Sequence, residues 1–188
     1  MRLTARWRAW AAHHRVHVGI VFALAYVAFS RPSPVTFWYG AAVVALGESI
    51  RVWACGHLVR NEELTRDGPY RLVRHPLYLG SFLIGLGLVL LAQYQWIWFA
   101  AFAALYIGFY LPAMYVEELR LQSLFGPEYL EYMDEVPRLI PRPRRRDPWR
   151  ENGEDTAGFS PEKSRRNREM RTVAVMILLL AVQYLKGI

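Results

Sequence analysis

Five apolar runs, separated by connectors that differ sharply in arginine content, constrain this chain more than any other feature. They cover residues 16–30, 35–55, 77–91, 96–116 and 172–185. A helix that crosses a bilayer needs about 20 apolar residues, range roughly 17–25. The second and fourth runs reach that length. The first, third and fifth need their flanks, and His13, His14, Arg15, Gln93 and Lys186 are placed to meet the headgroups with extended side chains. The predicted fold is therefore all-α: a polytopic integral membrane protein of about five transmembrane helices. A basic start followed by an apolar core and "AFS" also resembles a signal peptide, but an uncleaved anchor is the expectation.

Composition agrees. Hydrophobic residues make up 54% of the chain, with seven Trp and eleven Tyr, as aromatic belts at two interfaces require. Mean hydropathy is only +0.09 because very polar connectors dilute the apolar runs. The net charge of +7 comes almost wholly from arginine. Its clusters adjoin apolar runs, which points to anionic lipid headgroups and membrane lipids as partners, and not to nucleic acid. Cys55 is the single cysteine, so neither an intramolecular disulfide nor a cysteine-based zinc site can form.

Arginine also predicts orientation. The N-terminal stretch carries Arg2, Arg6, Arg8 and Arg15. The 56–76 connector carries Arg60, Arg66, Arg71 and Arg74. The chain beyond residue 116 is rich in arginine, whereas "RPSP" and "AQYQ" contribute only Arg31. By the positive-inside rule the first three regions are cytoplasmic. Residues 117–136 read as an amphipathic interfacial piece broken at Gly126-Pro127, with Tyr129, Tyr132 and Met133 at helical spacing. Residues 142–171 read as a mobile polar connector within a single domain.

Four clusters carry functional groups. In "GPYRLVRHPLYLG" (68–80), Pro76 suits the first turn of a helix. The free N–H groups of that turn, with Arg74 and His75 beside them, favour an anionic ligand. A basic membrane-edge anchor would look the same. Glu117-Glu118 falls at the predicted cytoplasmic end of the fourth helix and suits hydroxyls or a cation, or simply solvent. Glu48 and Arg51 share one helix face. Each charge near mid-membrane costs roughly 2.5–3.5 kcal/mol, so a buried pair there suggests a site. "FGPEYLEYMDEVPRLIP" (125–141) offers tyrosines and Arg138 as ligands or as interfacial anchors. His13 and His17 have metal-like spacing but no carboxylate beside them, and no metal site is expected.

Together these clusters resemble the isoprenylcysteine carboxyl methyltransferase family and the wider group that includes phospholipid N-methyltransferases. "RVWA" at 51–54, "GPYRLVRHPLYLG", "EE" and "FGPEYLEYMDEVPRLIP" carry the likeness, over roughly residues 40–141. The resemblance implies a helical membrane enzyme using S-adenosylmethionine, held at the cytoplasmic end. It implies one cofactor wall from Tyr70, Arg74, His75, Tyr78, Leu79 and Gly80, and another from Glu117 and Glu118. Glu118, Arg138 and Arg51 are the candidates for the reaction itself, on a lipophilic or lipid-linked acceptor. The linker and the fifth apolar run depart from the prenyl-protein branch, and the excess of arginine over lysine suggests a GC-rich bacterial genome, hence a bacterial inner membrane. A nicotinamide-dependent lipid or sterol reductase and a non-enzymatic scaffold are the competing readings.

Overall fold

Each apolar run folds as a helix, and the sequence supplies a breaker at most boundaries. The structure, a computed structural model, describes residues 2–59, 63–92, 95–141, 158–167 and 169–187. Helix α1 (Arg2–Phe29) stops before the proline-rich "SRPSP". Helix α2 (Pro34–His57) opens with a capping box. The Ser33 side chain accepts from the Thr36 amide at 3.2 Å, and the Thr36 hydroxyl accepts from the Ser33 amide at 3.3 Å. A short 3-10 turn (Gly68–Arg71) leads to α3 (Pro76–Leu91). Helix α4 (Gln95–Leu105), a π turn (Tyr106–Tyr110) and α5 (Leu111–Phe125) form one long rod. Pro112 explains the π turn: it has no N–H, and its ring crowds the carbonyl four residues back, so the helical ladder widens. Gly126, at φ +54°, turns the chain into α6 (Pro127–Glu135). The described chain ends with α7 (Pro161–Arg166) and α8 (Glu169–Gly187). Among the described residues there is no β-strand, only an isolated bridge between Pro32 and Ala92.

The centre of the packing is the antiparallel pair α2–α3. Gly40 faces Gly87, and Gly47 faces Gly80. A Cβ on Gly40 would lie 2.5 Å from the Gly87 carbonyl oxygen, and one on Gly80 would lie 2.7 Å from that of Gly47. Two glycine pairs, seven residues apart on each helix, thus bring the two backbones into contact. Close approach through small residues is a common way to associate helices in lipid, where hydrophobic burial gives little drive. Val44, Ile84, Leu88 and Leu91 pack around the pairs, with Tyr26 of α1 and Leu179 of α8 closing the cluster. Helix α8 runs about 28 Å along the bundle. At one end Glu169 meets Arg51. At the other, the Gln183 amide donates to Ser30 Oγ at 2.7 Å, and Lys186 Nζ donates to the Val27 and Ser30 carbonyls at 2.6 and 2.7 Å.

Several expectations change. Among the described residues, three helical stretches are long and apolar enough to cross a membrane: Ala5–Phe29, Gln95–Phe125 and Glu169–Gly187. Helix α3 is apolar but only 16 residues long. Helix α2 has 24 residues but is not among the three; its glycines, Thr36, Glu48, Ser49 and Arg51 dilute its hydropathy. Glu117-Glu118 is not a helix end, because the helix continues to Phe125 through the strong formers of "EELRLQ". Residues 158–167 and 169–171 are not a loose connector. The Ser160 amide donates to the Gly56 carbonyl at 2.9 Å, and the Asn167 side chain donates to the Cys55 and Leu58 carbonyls at 3.0 and 3.3 Å. These contacts satisfy carbonyls that the end of α2 leaves open. Arg60, Gln93 and the rest of the expected connector, 142–157 and Arg168, lie outside the described residues.

The glycine pairs yield a direct test. Gly47→Leu and Gly80→Leu force the two backbones apart and are expected to cost at least about 1–3 kcal/mol. Gly108→Ala, at a glycine with nothing within 4 Å, is the control and should leave stability unchanged or slightly raised. Thermal unfolding in mild detergent reads all three.

Candidate active site at the polar end of the bundle

Glu118 organises this end. Its residue exposure is only 3%, and a carboxylate so buried must be matched by donors. His75 Nε2 lies 3.2 Å from Oε1, Arg138 Nε donates to Oε1 at 3.0 Å, and an Arg138 terminal nitrogen donates to Oε2. Arg74 Nη1 makes an ion-pair contact with Oε1 at 3.1 Å. The backbone reinforces the same junction. The Arg74 amide donates to the Pro137 carbonyl at 2.8 Å and the His75 amide to the Arg138 carbonyl at 3.2 Å. "RHP" and "PRLIP" are therefore laced together. The bond to Glu118 also raises the Arg138 guanidinium above its ordinary value, so it stays charged.

The surrounding elements hold the loop that carries the motif. His57 Nδ1 lies 2.8 Å from an Asp67 carboxylate oxygen, both buried. Gly68, at φ +53°, lets the turn close over the His57 ring, where a Cβ would sit 2.6 Å from it. The Tyr132 hydroxyl donates to the Tyr70 carbonyl at 2.7 Å. Tyr129 and Tyr132 are fully buried members of a cluster with Val136, rather than interfacial anchors. Burial pushes the Tyr129 hydroxyl up, so it acts as a neutral group.

A cavity of about 950 Å³ opens beside this cluster. Its polar end is lined by Glu63, Tyr70, Arg74, His75, Glu117 and Arg120. Its other end runs between helices past Ile20, Phe22, Leu88, Phe102, Leu105 and Met176. Tyr78 stands between the two, donating to Glu117 at 2.9 Å and meeting the Tyr110 ring edge-on. Of the sequence-predicted residues, Arg51, Tyr70, Arg74, His75, Tyr78 and Glu117 line the cavity. Glu118 and Arg138 stand behind the lining. Leu79 and Gly80 are also outside it, Gly80 being spent on contact with α2. Arg51 does not pair with Glu48. It forms a two-point ion pair with Glu169 at 2.6 and 3.0 Å and donates to Ser81 Oγ at 2.6 Å. Sequence reasoning missed Glu169, Arg15 and the π-turn tyrosines. A lone acid at the start of the last apolar run and Pro112 inside a long apolar run were the available signals.

An all-helical protein with membrane-type segments, and a cavity running from charged groups into apolar helix faces, defines a class that meets amphiphiles. The chain belongs to the phospholipid methyltransferase family, which it matches over residues 35–128. The likeness read from the motifs is thereby borne out. The chain is 31% identical over 143 residues to the cobalt-zinc-cadmium resistance protein CzcN of Cupriavidus metallidurans, covering 69% of this chain and 64% of that one. It is 32% identical over 101 residues to the protein-S-isoprenylcysteine O-methyltransferase of Schizosaccharomyces pombe, covering 54% and 42%. It is likewise 32% identical over 114 residues to the Homo sapiens enzyme of that name, covering 54% and 40%. The chain thus spans less than two thirds of the length of these relatives. No solved structure matches it.

Removing the central carboxylate should unfasten the junction. Glu118→Ala leaves the Arg74 and Arg138 guanidinium groups without their anion and His75 without its hydrogen-bond partner, and is expected to cost about 3 kcal/mol or more. Tyr78→Phe, which loses one hydrogen bond to an exposed partner, should cost about 1 kcal/mol. Equilibrium unfolding in detergent compares them.

Proposed function

We propose that this protein is a membrane methyltransferase that uses S-adenosylmethionine to methylate a lipophilic acceptor. The observation that carries this reading is the cavity, which joins the Arg74–His75 motif to a passage between apolar helix faces. Membership of the methyltransferase family and the activity for which the isoprenylcysteine relatives are named support it. The donor set at the polar end fits the cofactor. Arg74 Nε is buried there without a hydrogen-bond partner among the described residues, and it suits the carboxylate of an amino acid. Glu117, exposed at the rim, suits hydroxyl or amino donors.

When bound, S-adenosylmethionine supplies a methyl group on a positively charged sulfur. The work of the chain is positional, since in-line displacement gains much from holding two reactants in register. Tyr70, Arg74, His75, Tyr78 and Glu117 bind and orient the donor. Glu118 and Arg138 keep Arg74 and His75 in place. Arg51, fixed by Glu169 and Ser81, sets the wall between head and tail. The apolar passage excludes water and holds the acceptor's tail, at about 25 cal/mol per Å² buried. A carboxylate acceptor needs no base, whereas an ammonium acceptor must first give a proton to His75 or Glu117. In this reading all five apolar helices span the membrane, and the polar end is cytoplasmic.

Calorimetry in detergent should detect S-adenosylhomocysteine. Arg74→Ala and Glu117→Ala should each weaken it by roughly tenfold, the size of one charge-assisted hydrogen bond. Undiminished affinity in folded variants sinks the assignment. Labelled methyl donor added to a lipid extract then reports whether the product is an ester or an amine. Thiol labelling on a Cys55→Ala background tests the orientation: Asp67→Cys should be reached only from the cytoplasm and Ser33→Cys only from the other side.

A further inference from the structure

Glu48 is left over by everything described above. It is 91% buried and both carboxylate oxygens lack a hydrogen-bond partner among the described residues. The nearest cation in sequence, Arg51, is committed to Glu169 and Ser81. A buried carboxylate without hydrogen-bond donors, whose nearby Arg51 is shared with Glu169, is unstable as an anion unless further positive charge comes to it. Glu48 does not line the large cavity. It lines a separate outward groove of about 440 Å³, walled by Glu48, Ser49, Val52, Trp53, Phe159 and Val173, which shares no lining residue with the cavity.

The composition of the groove is selective. It combines one carboxylate, two half-exposed aromatic rings and the apolar side chains of two valines. Ser49 Oγ is already donating to the Ala45 carbonyl at 2.8 Å, so the groove offers little to an anion. A carboxylate beside indole and phenyl rings is the chemistry that recognises an ammonium ion, through charge and through the ring faces. The groove lies between α2 and the first turns of α8, one of the helices long and apolar enough to span. A ligand reaching it from the bilayer brings its own hydrocarbon. Phe159 and Val173 lie beyond the stretch matched by the family, so this wall is a feature of the chain's C-terminal part. Phe159 is held there by the Ser160–Gly56 hydrogen bond and packs on Gly56, where a Cβ would lie 2.2 Å from its ring.

We infer that this groove binds the ammonium headgroup of a membrane lipid, with Glu48 as counter-charge, Trp53 and Phe159 as aromatic walls, and the lipid tail lying along α8. The site is independent of methyl transfer. The net charge of +7 favours anionic lipid at the general surface, so a preference for an ammonium headgroup has to arise locally.

The full chain in nanodiscs of phosphatidylglycerol, doped with spin-labelled lipids of matched acyl chains, provides the test. One label carries a choline headgroup and the other glycerol, and electron paramagnetic resonance reads the motionally restricted fraction. The wild type should enrich the choline lipid by about fivefold at its site. Glu48→Gln keeps the shape, removes the charge and should abolish the enrichment. Trp53→Leu should reduce it, and it decides the matter if Glu48→Gln fails to fold. Trp38→Leu, an exposed aromatic on the far half of α2, should retain it. Equal restriction of the two lipids by the wild type, or enrichment that survives both Glu48→Gln and Trp53→Leu, overturns the inference.

Discussion

A buried carboxylate has to be matched by donors, and Glu118 draws its donors from segments 43 residues before it and 20 residues after it. The loop ahead of α3 and the strap after α6 have no shared secondary structure of their own. Their common partner is a single side chain on a long helix, backed by two amide-to-carbonyl bonds. Charge-assisted bonds of this kind are about twice as strong as neutral ones and are directional. The orientation of Arg74 and His75 at the cavity wall therefore depends on Glu118, although Glu118 does not line the cavity.

The second constraint is steric. With a side chain at Gly47 or Gly80 the α2–α3 backbones could not touch, and Arg51 would not reach Ser81 and the Leu77 carbonyl. From that contact Arg51 extends to Glu169 and fixes the start of α8. Breaking one member of such a buried pair leaves an uncompensated charge, so it specifies position more than it adds stability. The last helix is thus registered at both ends, by an ion pair on one side and by Gln183 and Lys186 on the other. Its Val175 and Met176 become part of the cavity.

These constraints produce a cavity with two chemistries. One end is lined by guanidinium, imidazole and carboxylate, and the other by aliphatic and aromatic side chains. The π turn lies along this passage and stacks Tyr106 and Tyr110 with ring centroids 5.3 Å apart. A long helix that satisfied its ladder throughout would present those rings at a different angle. An amphiphile with its head at Arg74 and its tail toward Leu88 matches the lining in both halves.

Much of this was legible in the chain. The apolar runs gave the helices, because period and length are local properties. Pro34, Pro76 and Gly126-Pro127 gave several of the boundaries, because backbone φ and missing donors are set by single residues. The motif residues Tyr70, Arg74, His75, Tyr78 and Glu117 were identified by resemblance, and they do line one cavity. Partnership was not legible. Glu48 and Arg51 share a helix face, yet Arg51 pairs with Glu169, 118 residues away, because helix docking and not sequence spacing brings charges within reach. Glu117 and Glu118 are adjacent letters with opposite fates, one exposed and one buried between two guanidinium groups and an imidazole. A helix turns 100° per residue, so neighbours point to different surroundings. The sequence by itself determined which segments are helical and which residue types gather at the polar end. Only the tertiary structure decided which carboxylate faces the cavity, which one locks the motif behind it, and which one lacks a hydrogen-bond partner among the described residues, because each outcome depends on contacts between segments far apart in the chain.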